Sequence, residues 1–270
     1  MKVHLNGRIV ESEQATVGIS DRGLLYGDGL YETIRVRNGK CVRFESHVRR
    51  LMHGAGVLEM PASVGAFDYA AAIAELLDAN ALSDARVRIT ITRGATTGDI
   101  VPSPDAKPTI FITAVPLPTH DPRPVSVIVS SFGRGPAPLC SVKTTNCLPS
   151  ILAKSQAARR GADDALLTNT QGNIAEATTA NVFIVKDNRL ITPGDDQCCL
   201  PGTVRAAVLE MAPSLGLEPV ESAVTPDLLD DADEMFLTSA IKLVRSVAGH
   251  RSTAVSERML AALLESETLL

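Results

Sequence analysis

The chain contains no tryptophan, its aromatic residues amount to 3%, and its formal charge is −5. A nucleic-acid binder wants a basic face interleaved with stacking rings, and this composition offers neither. No apolar run reaches the length needed to cross a bilayer. The first residues, MKVHLNGRIV, show one Lys followed by strand-like alternation, without the apolar stretch and small-residue cleavage site of a secretory leader. The five cysteines, Cys41, Cys140, Cys147, Cys198 and Cys199, are odd in number and two are adjacent, which does not fit a disulfide framework. Reduced thiols and a cytoplasmic location are the expectation. The five histidines are scattered without ligand-like spacing, so no metal site is expected. There is no internal repeat and no low-complexity tract. What remains is ordinary globular material, 45% hydrophobic and 21% charged over 270 residues, enough for one large domain or two modest ones.

Residues 3–10 read as two short strands about Asn6 and Gly7, a dipeptide suited to a two-residue hairpin turn. Ser46 is placed to cap a helix through His47, Leu51 and Val57, and a second helix is predicted over 66–77. Strands follow at 87–92 and 109–115. Between Val115 and Val125 lies VPLPTHDPRPV, whose four prolines remove backbone donors and favour an extended linker. The domain boundary is placed there, giving an N-terminal domain over 1–115, a linker over 116–124 and a C-terminal domain over 125–270. Beyond it the pattern predicts strands at 125–130, 165–168, 181–185 and 189–192, with helices at 150–160 and 203–211. The acidic run 227–234 reads as a solvated helix face. The whole is mixed α and β.

Chemistry enters at Lys143, in SVKTTNCLPSILAKSQA, on a Gly- and Pro-rich loop between a strand and a helix. A loop of that kind can aim an amine into a cleft, where its environment can tune it for Schiff-base formation. An exposed surface cation is the plainer alternative. Glu176, in GNIAEATTANVFIV, is a carboxylate flanked by small and apolar residues, and burying it alone would cost several kcal/mol. It needs a cationic partner. The protonated nitrogen of a pyridine ring, as in pyridoxal phosphate, would serve, and so would a structural Arg. In LPGTVRAAVLEM a Gly precedes Thr203 and Val204 at a helix start, where free backbone donors and the helix dipole can hold a phosphate. The same residues could simply cap the helix. Arg50, in SHVRRLMHGAG, would add a bidentate cation for that phosphate, whereas Arg49 beside it should face away.

These segments, with DRGLLYGDGLYETIRV at 21–36, HVRRL at 47–51, GADDALLTNTQGNIAEATTANVFIV at 161–185 and DEMFLTSAIKLV at 233–244, resemble the fold-type IV pyridoxal phosphate enzymes. That family includes branched-chain aminotransferases, D-amino acid aminotransferases and aminodeoxychorismate lyases, and the resemblance covers nearly the whole chain. It implies a two-domain α/β fold of the α+β type, with a small first domain and a larger mixed-sheet, barrel-like cofactor domain. It implies Lys143 as the lysine that carries pyridoxal 5'-phosphate, Glu176 as the partner of the ring nitrogen, and Arg50, Thr203 and Val204 as phosphate contacts. Ser239 and Ala240 fall where further phosphate or substrate contacts belong, with Ala240 standing where many members carry a hydroxyl. In the implied mechanism the freed Lys143 amine moves a proton from the substrate Cα to the cofactor while Glu176 keeps the ring cationic.

For the substrate, the resemblance implies amino acids and 2-oxo acids such as 2-oxoglutarate. D-amino acid members carry an Arg and a His in the loop after Thr92–Gly94. Here that loop has Gly98 and Ile100 at the matching positions, so the D-specific trap is absent. Arg88 and Arg86 lie where branched-chain members place residues near the carboxylate, and Tyr26 and Tyr31 could line the pocket. As alternating residues, both arginines could equally be outward strand charges. Cys147 stands where an aromatic is usual. The leading expectation is a homodimeric aminotransferase for L-amino acids with apolar or branched side chains. A D-amino acid transaminase or the lyase on the same scaffold, and a catalytically idle protein with the inherited fold, stay open.

Overall fold

A computed structural model describes residues 1–96, 98–103 and 105–268. The chain forms two compact units, Met1–Thr119 with Val142–Asn146, and His120–Ser141 with Cys147–Leu270.

In the first unit, β1 (Lys2–Leu5) and β2 (Arg8–Glu11) join through Asn6 and Gly7, whose φ angles of 48° and 85° suit the mirror-type turn that this dipeptide favours. α1 (Arg22–Tyr26), β3 (Gly29–Arg37), β4 (Lys40–Cys41), α2 (Phe44–Val57), α3 (Tyr69–Ala79), β5 (Ala85–Thr92) and β6 (Thr109–Pro116) follow. The strands make one antiparallel sheet in the order β2-β1-β6-β5-β3-β4. Alternation sends Leu30, Ile34, Val36, Val87, Ile89, Ile91 and Ile112 to one face, where Leu51 of α2 and Ile73 and Leu76 of α3 close the core. Two helix starts differ from the sequence reading. α2 begins at Phe44 behind Arg43, which adopts the left-handed conformation at φ 55°, so Ser46 lies inside the first turn instead of capping it. α3 begins at Tyr69 because the Asp68 side chain accepts the Ala71 N–H at 2.9 Å.

β4 pairs only with Val36 and Arg37, which leaves the first half of β3 with an open edge. Val142–Asn146 fills it. The Tyr31 N–H donates to the Lys143 carbonyl at 3.0 Å, Thr144 bridges Leu30, and the Thr145 N–H donates to the Gly29 carbonyl at 2.9 Å. Val142 is buried in the first core. A single cut at the Pro-rich linker therefore misses this return of the chain to its first unit.

In the second unit, β7 (Val127–Gly133) lies parallel to β8 (Asp164–Thr168), with α4 (Leu148–Arg159) as the crossover, and β9 (Ile174–Ala177) pairs antiparallel with β8. α4 starts two residues before its sequence-predicted position, with Cys147 as its cap and Pro149 in its first turn. β10 (Asn181–Lys186), β11 (Arg189–Pro193), α5 (Thr203–Met211), β12 (Glu218–Ser222), α6 (Pro226–Asp230), β13 (Glu234–Ser239), β14 (Leu243–Ser246) and α7 (Ala254–Thr268) complete it. Their sheet has the order β12-β11-β10-β13-β14. Among the described residues neither sheet closes on itself, which corrects the barrel-like expectation. Phe183 and Phe236 stack at 5.2 Å between centroids, under Val204 and Val208 of α5 and Met259 and Leu263 of α7. The acidic run divides: Asp227 and Asp230 are exposed on α6, whereas Glu234 is buried and accepts the Val255 and Ser256 N–H groups at the start of α7. A carboxylate there satisfies helix-end donors and opposes the dipole.

Candidate active site

In the first unit Lys143 is fixed by the backbone pairing on either side of it. Thr145 Oγ1 adds a hydrogen bond to the Gly27 carbonyl at 2.8 Å, and Asn146 Nδ2 another at 2.9 Å. The Lys143 ammonium lies 4.4 Å from the centre of the Tyr31 ring, and the Arg88 guanidinium carbon lies 3.8 Å from the same ring. Two cations on one phenol ring is an arrangement that the ring quadrupole favours. Arg88 is steadied by Nε donating to Thr90 Oγ1 at 3.3 Å. Arg86, two residues earlier on the same face, lines a depression of about 270 Å³ with Thr33, Arg88, Thr113 and Val115.

Across the sheet from Tyr31, Glu32 is fully buried in the apolar row between Leu30 and Ile34. Arg50 of α2 grips it with Nε on Oε1 at 2.8 Å and Nη2 on Oε2 at 2.7 Å, and His47 Nδ1 lies 2.7 Å from Oε2. Burial pushes the Glu32 carboxyl up, but the bonds and charges from Arg50 and His47 outweigh it and bring it down to about 2. His47 is held below its usual range, first by burial, with Arg50 and Lys143 opposing its charge and Glu32 favouring it. Arg50, expected as a phosphate contact, is thus oriented by a carboxylate that the sequence reading overlooked. Arg49 is exposed.

Tyr26 stands apart from the Tyr31 cluster. Its hydroxyl donates to the Gly98 carbonyl at 2.9 Å, and Arg22 lies 4.9 Å from its ring. Arg22 also donates to the carbonyls of Asp99 and Ile100, each at 2.7 Å, and pairs with Asp28 at 2.8 Å, which Arg93 shares. The loop bearing Gly98 and Ile100 is therefore tied down by its backbone.

In the second unit Glu176 is buried on β9. Its Oε2 accepts the Leu200 N–H at 2.9 Å, and its Oε1 lies 3.0 Å from Arg134 Nε. That ion pair lacks hydrogen-bond alignment, since Arg134 Nε is buried without a bond of its own, while Arg134 Nη2 donates to the Cys140 carbonyl at 2.6 Å. The cation that Glu176 needs is supplied in part by Arg134, a residue its Gly- and Pro-rich surroundings did not single out. Leu200 leads into Gly202, the cap of α5, which has no side-chain cap bond. A Cβ at Gly202 would stand 2.0 Å from Asn181 Oδ1, so any side chain there would have to displace Asn181. Asn181 Nδ2 in turn donates to the Leu200 carbonyl at 2.7 Å. Thr203 and Val204 follow as the buried first residues of α5. Asn181 pairs across the sheet with Thr238, whose Oγ1 is buried without a hydrogen bond, and Ser239 and Ala240 come next. A helix start with no side-chain cap, a glycine permitting close approach and an unsatisfied hydroxyl fit a phosphate.

Residues 29–249 match the family model for amino-transferase class IV. A Methanocaldococcus jannaschii protein assigned as a branched-chain-amino-acid aminotransferase is 37% identical over 88% of this chain and 84% of its own length. The D-alanine aminotransferase of Bacillus licheniformis is 32% identical over 88% of this chain and 84% of its own. The T.th. branched-chain amino acid aminotransferase, solved with pyridoxamine 5'-phosphate, superposes with a TM-score of 0.89 at 26% identity, covering 98% of this chain and 93% of the other.

Proposed function

Since the chain belongs to the class IV aminotransferases, we propose that it carries pyridoxal 5'-phosphate on Lys143 and moves an amino group between an amino acid and a 2-oxo acid. The observation that carries this reading is the double fixation of Lys143, by strand pairing along its backbone and by the Tyr31 ring at its ammonium. Glu176 would hold the ring nitrogen. The backbone at Thr203 and Val204, with Ser239 and Ala240, would receive the phosphate, and Arg50 would add its charge. When bound, the cofactor supplies an electron-accepting ring that stabilises the carbanion left when a substrate Cα–H ionises. Lys143 Nζ is the base that takes that proton and returns it. Tyr31 and Arg88 position the amine and its substrate, and the Leu200 N–H and Arg134 orient the Glu176 carboxylate.

The relatives' names support both branched-chain and D-alanine chemistry. Gly98 and Ile100 argue against a side-chain grip on a D-substrate from the 98–100 loop, so L-amino acids, with 2-oxoglutarate as acceptor, are the favoured reading. The family resemblance supports a homodimer, and the five free cysteines support a reducing cytoplasm. Lys143→Ala should lose both the visible absorbance of bound cofactor and all transamination. A variant that kept normal turnover would refute the assignment.

A further inference from the structure

Two thiols of the second unit meet beside Glu176, and the proposed reaction uses neither. Cys140 is buried in the short helical turn Leu139–Ser141, and Cys198 follows the turn Asp195–Gln197 and is partly exposed. The two thiols are hydrogen-bonded to each other. Each loop is pinned. Arg134 Nη2 donates to the Cys140 carbonyl at 2.6 Å, while Asn169 and Asn173 Nδ2 hold Gln197 Oε1 at 3.1 and 3.0 Å. The neighbouring Cys199 is engaged elsewhere, its buried thiol donating to the Pro193 carbonyl at 3.3 Å.

Thiols held this way act as a pair, because the second attacks within the molecule at a high effective concentration. Burial first, and then the Cys198 thiol, push Cys140 up to about 12, with Arg134 opposing. Cys140 is therefore a poor first nucleophile, and the more exposed Cys198 is the one to meet a reagent from solution. The Cys198 thiolate attacks a low-molecular-weight disulfide, forming a mixed disulfide and releasing one small thiol. Cys140 then gives up its proton and attacks the Cys198 sulfur, releasing the second. The two protein thiols lose two electrons and two protons, and the small disulfide gains them. We propose that Cys140 and Cys198 form a reversible disulfide that loosens the cofactor site when the surrounding disulfide pool rises. The bond requires the sulfurs to close to about 2.05 Å, so at least one loop must leave its hydrogen-bonded spacing. Both loops hold Glu176. Arg134, tied to the Cys140 carbonyl, lies 3.0 Å from Oε1, and the Leu200 N–H, two residues past Cys198, donates to Oε2 at 2.9 Å. Movement of either misaligns the carboxylate that faces the ring nitrogen. The effect on the cofactor rests on the transaminase reading, and the crosslink does not.

The test incubates the full, cofactor-loaded chain with glutathione disulfide, blocks the remaining thiols in denaturant and digests without reductant. Mass spectrometry should find a peptide pair linked through Cys140 and Cys198 that dithiothreitol separates, absent from Cys140→Ser and from Cys198→Ser. Oxidation should weaken pyridoxal phosphate binding in equilibrium dialysis about fivefold or more, reversibly, and should speed hydrogen exchange at the Leu200 amide. Cys198→Ser, at a partly exposed position, should show neither change. Glutathione adducts without the crosslink, a Cys198–Cys199 link, or a crosslink that leaves both dialysis and exchange unmoved would overturn the proposal. If the reduced protein takes up no cofactor, the transaminase reading fails, and the crosslink with its Leu200 exchange still decides the switch.

Discussion

Glu32 occupies a core position in the alternation of β3, flanked on its face by Leu30 and Ile34. A carboxylate in that phase is a legible signal, and His47 and Arg50, one helical turn apart on α2, are its partners. Both were visible in the sequence, but strand periodicity and helix periodicity had to be superposed to connect them. Neutralising the carboxylate should take from the largely buried Arg50 guanidinium the charged group that it grips, so Glu32→Gln should lower stability by about 3–5 kcal/mol in denaturant melts. The pH dependence follows from the same group. Its carboxyl falls from 4.5 to about 2 on folding, so its contribution is complete above pH 4.5 and drains away as the pH drops toward 2, by about 3 kcal/mol in all. His47, also lowered on folding, acts in the same direction, favouring the folded state above its ordinary range and weakening it below. Melts of the parent should show this acid slope between pH 4.5 and 2, and Glu32→Gln should flatten it.

At the scale of elements, the strands and helices with strong periodicity were readable, among them β5, β6, β10, β11 and α5. What escaped were features that depend on partners remote in sequence. Nothing local in Val142–Asn146 announces an edge strand, since its ladder is completed by residues more than a hundred positions away. Thr145→Val should remove the hydroxyl bond shared between the Gly27 and Gly29 carbonyls, costing about 1–2 kcal/mol. Hydrogen exchange at the Tyr31 amide should accelerate accordingly, and cofactor retention should weaken. The start of α5 makes a second case. Gly202→Ala would drive a methyl group into Asn181, for a loss of about 1–3 kcal/mol and a marked drop in pyridoxal phosphate affinity measured by equilibrium dialysis. Adding Asn181→Ala should recover part of the stability, because the obstructing oxygen is gone.

For the molecule as a whole, a net charge of −5 conceals a sheet face of the opposite sign. Summed composition speaks against nucleic acid as a partner but does not reveal where positive charge gathers, since alternation and register decide that. If anionic substrates are drawn to this face, raising the salt from about 0.1 M to about 1 M, which shortens the screening length from about 10 to about 3 Å, should raise the KM for 2-oxo acids several-fold. The family could be read from motif order, whereas the exchange of Val142–Asn146 between units could not. That exchange bears on biosynthesis. A ribosome releases residues from the amino end onward, so the leading half must wait, with Val142 missing from its interior and β3 bare along one margin, until the chain has been made well past the linker. The Lys143 amine therefore comes into place in the same event that finishes the first core, and a nascent protein cannot possess one without the other.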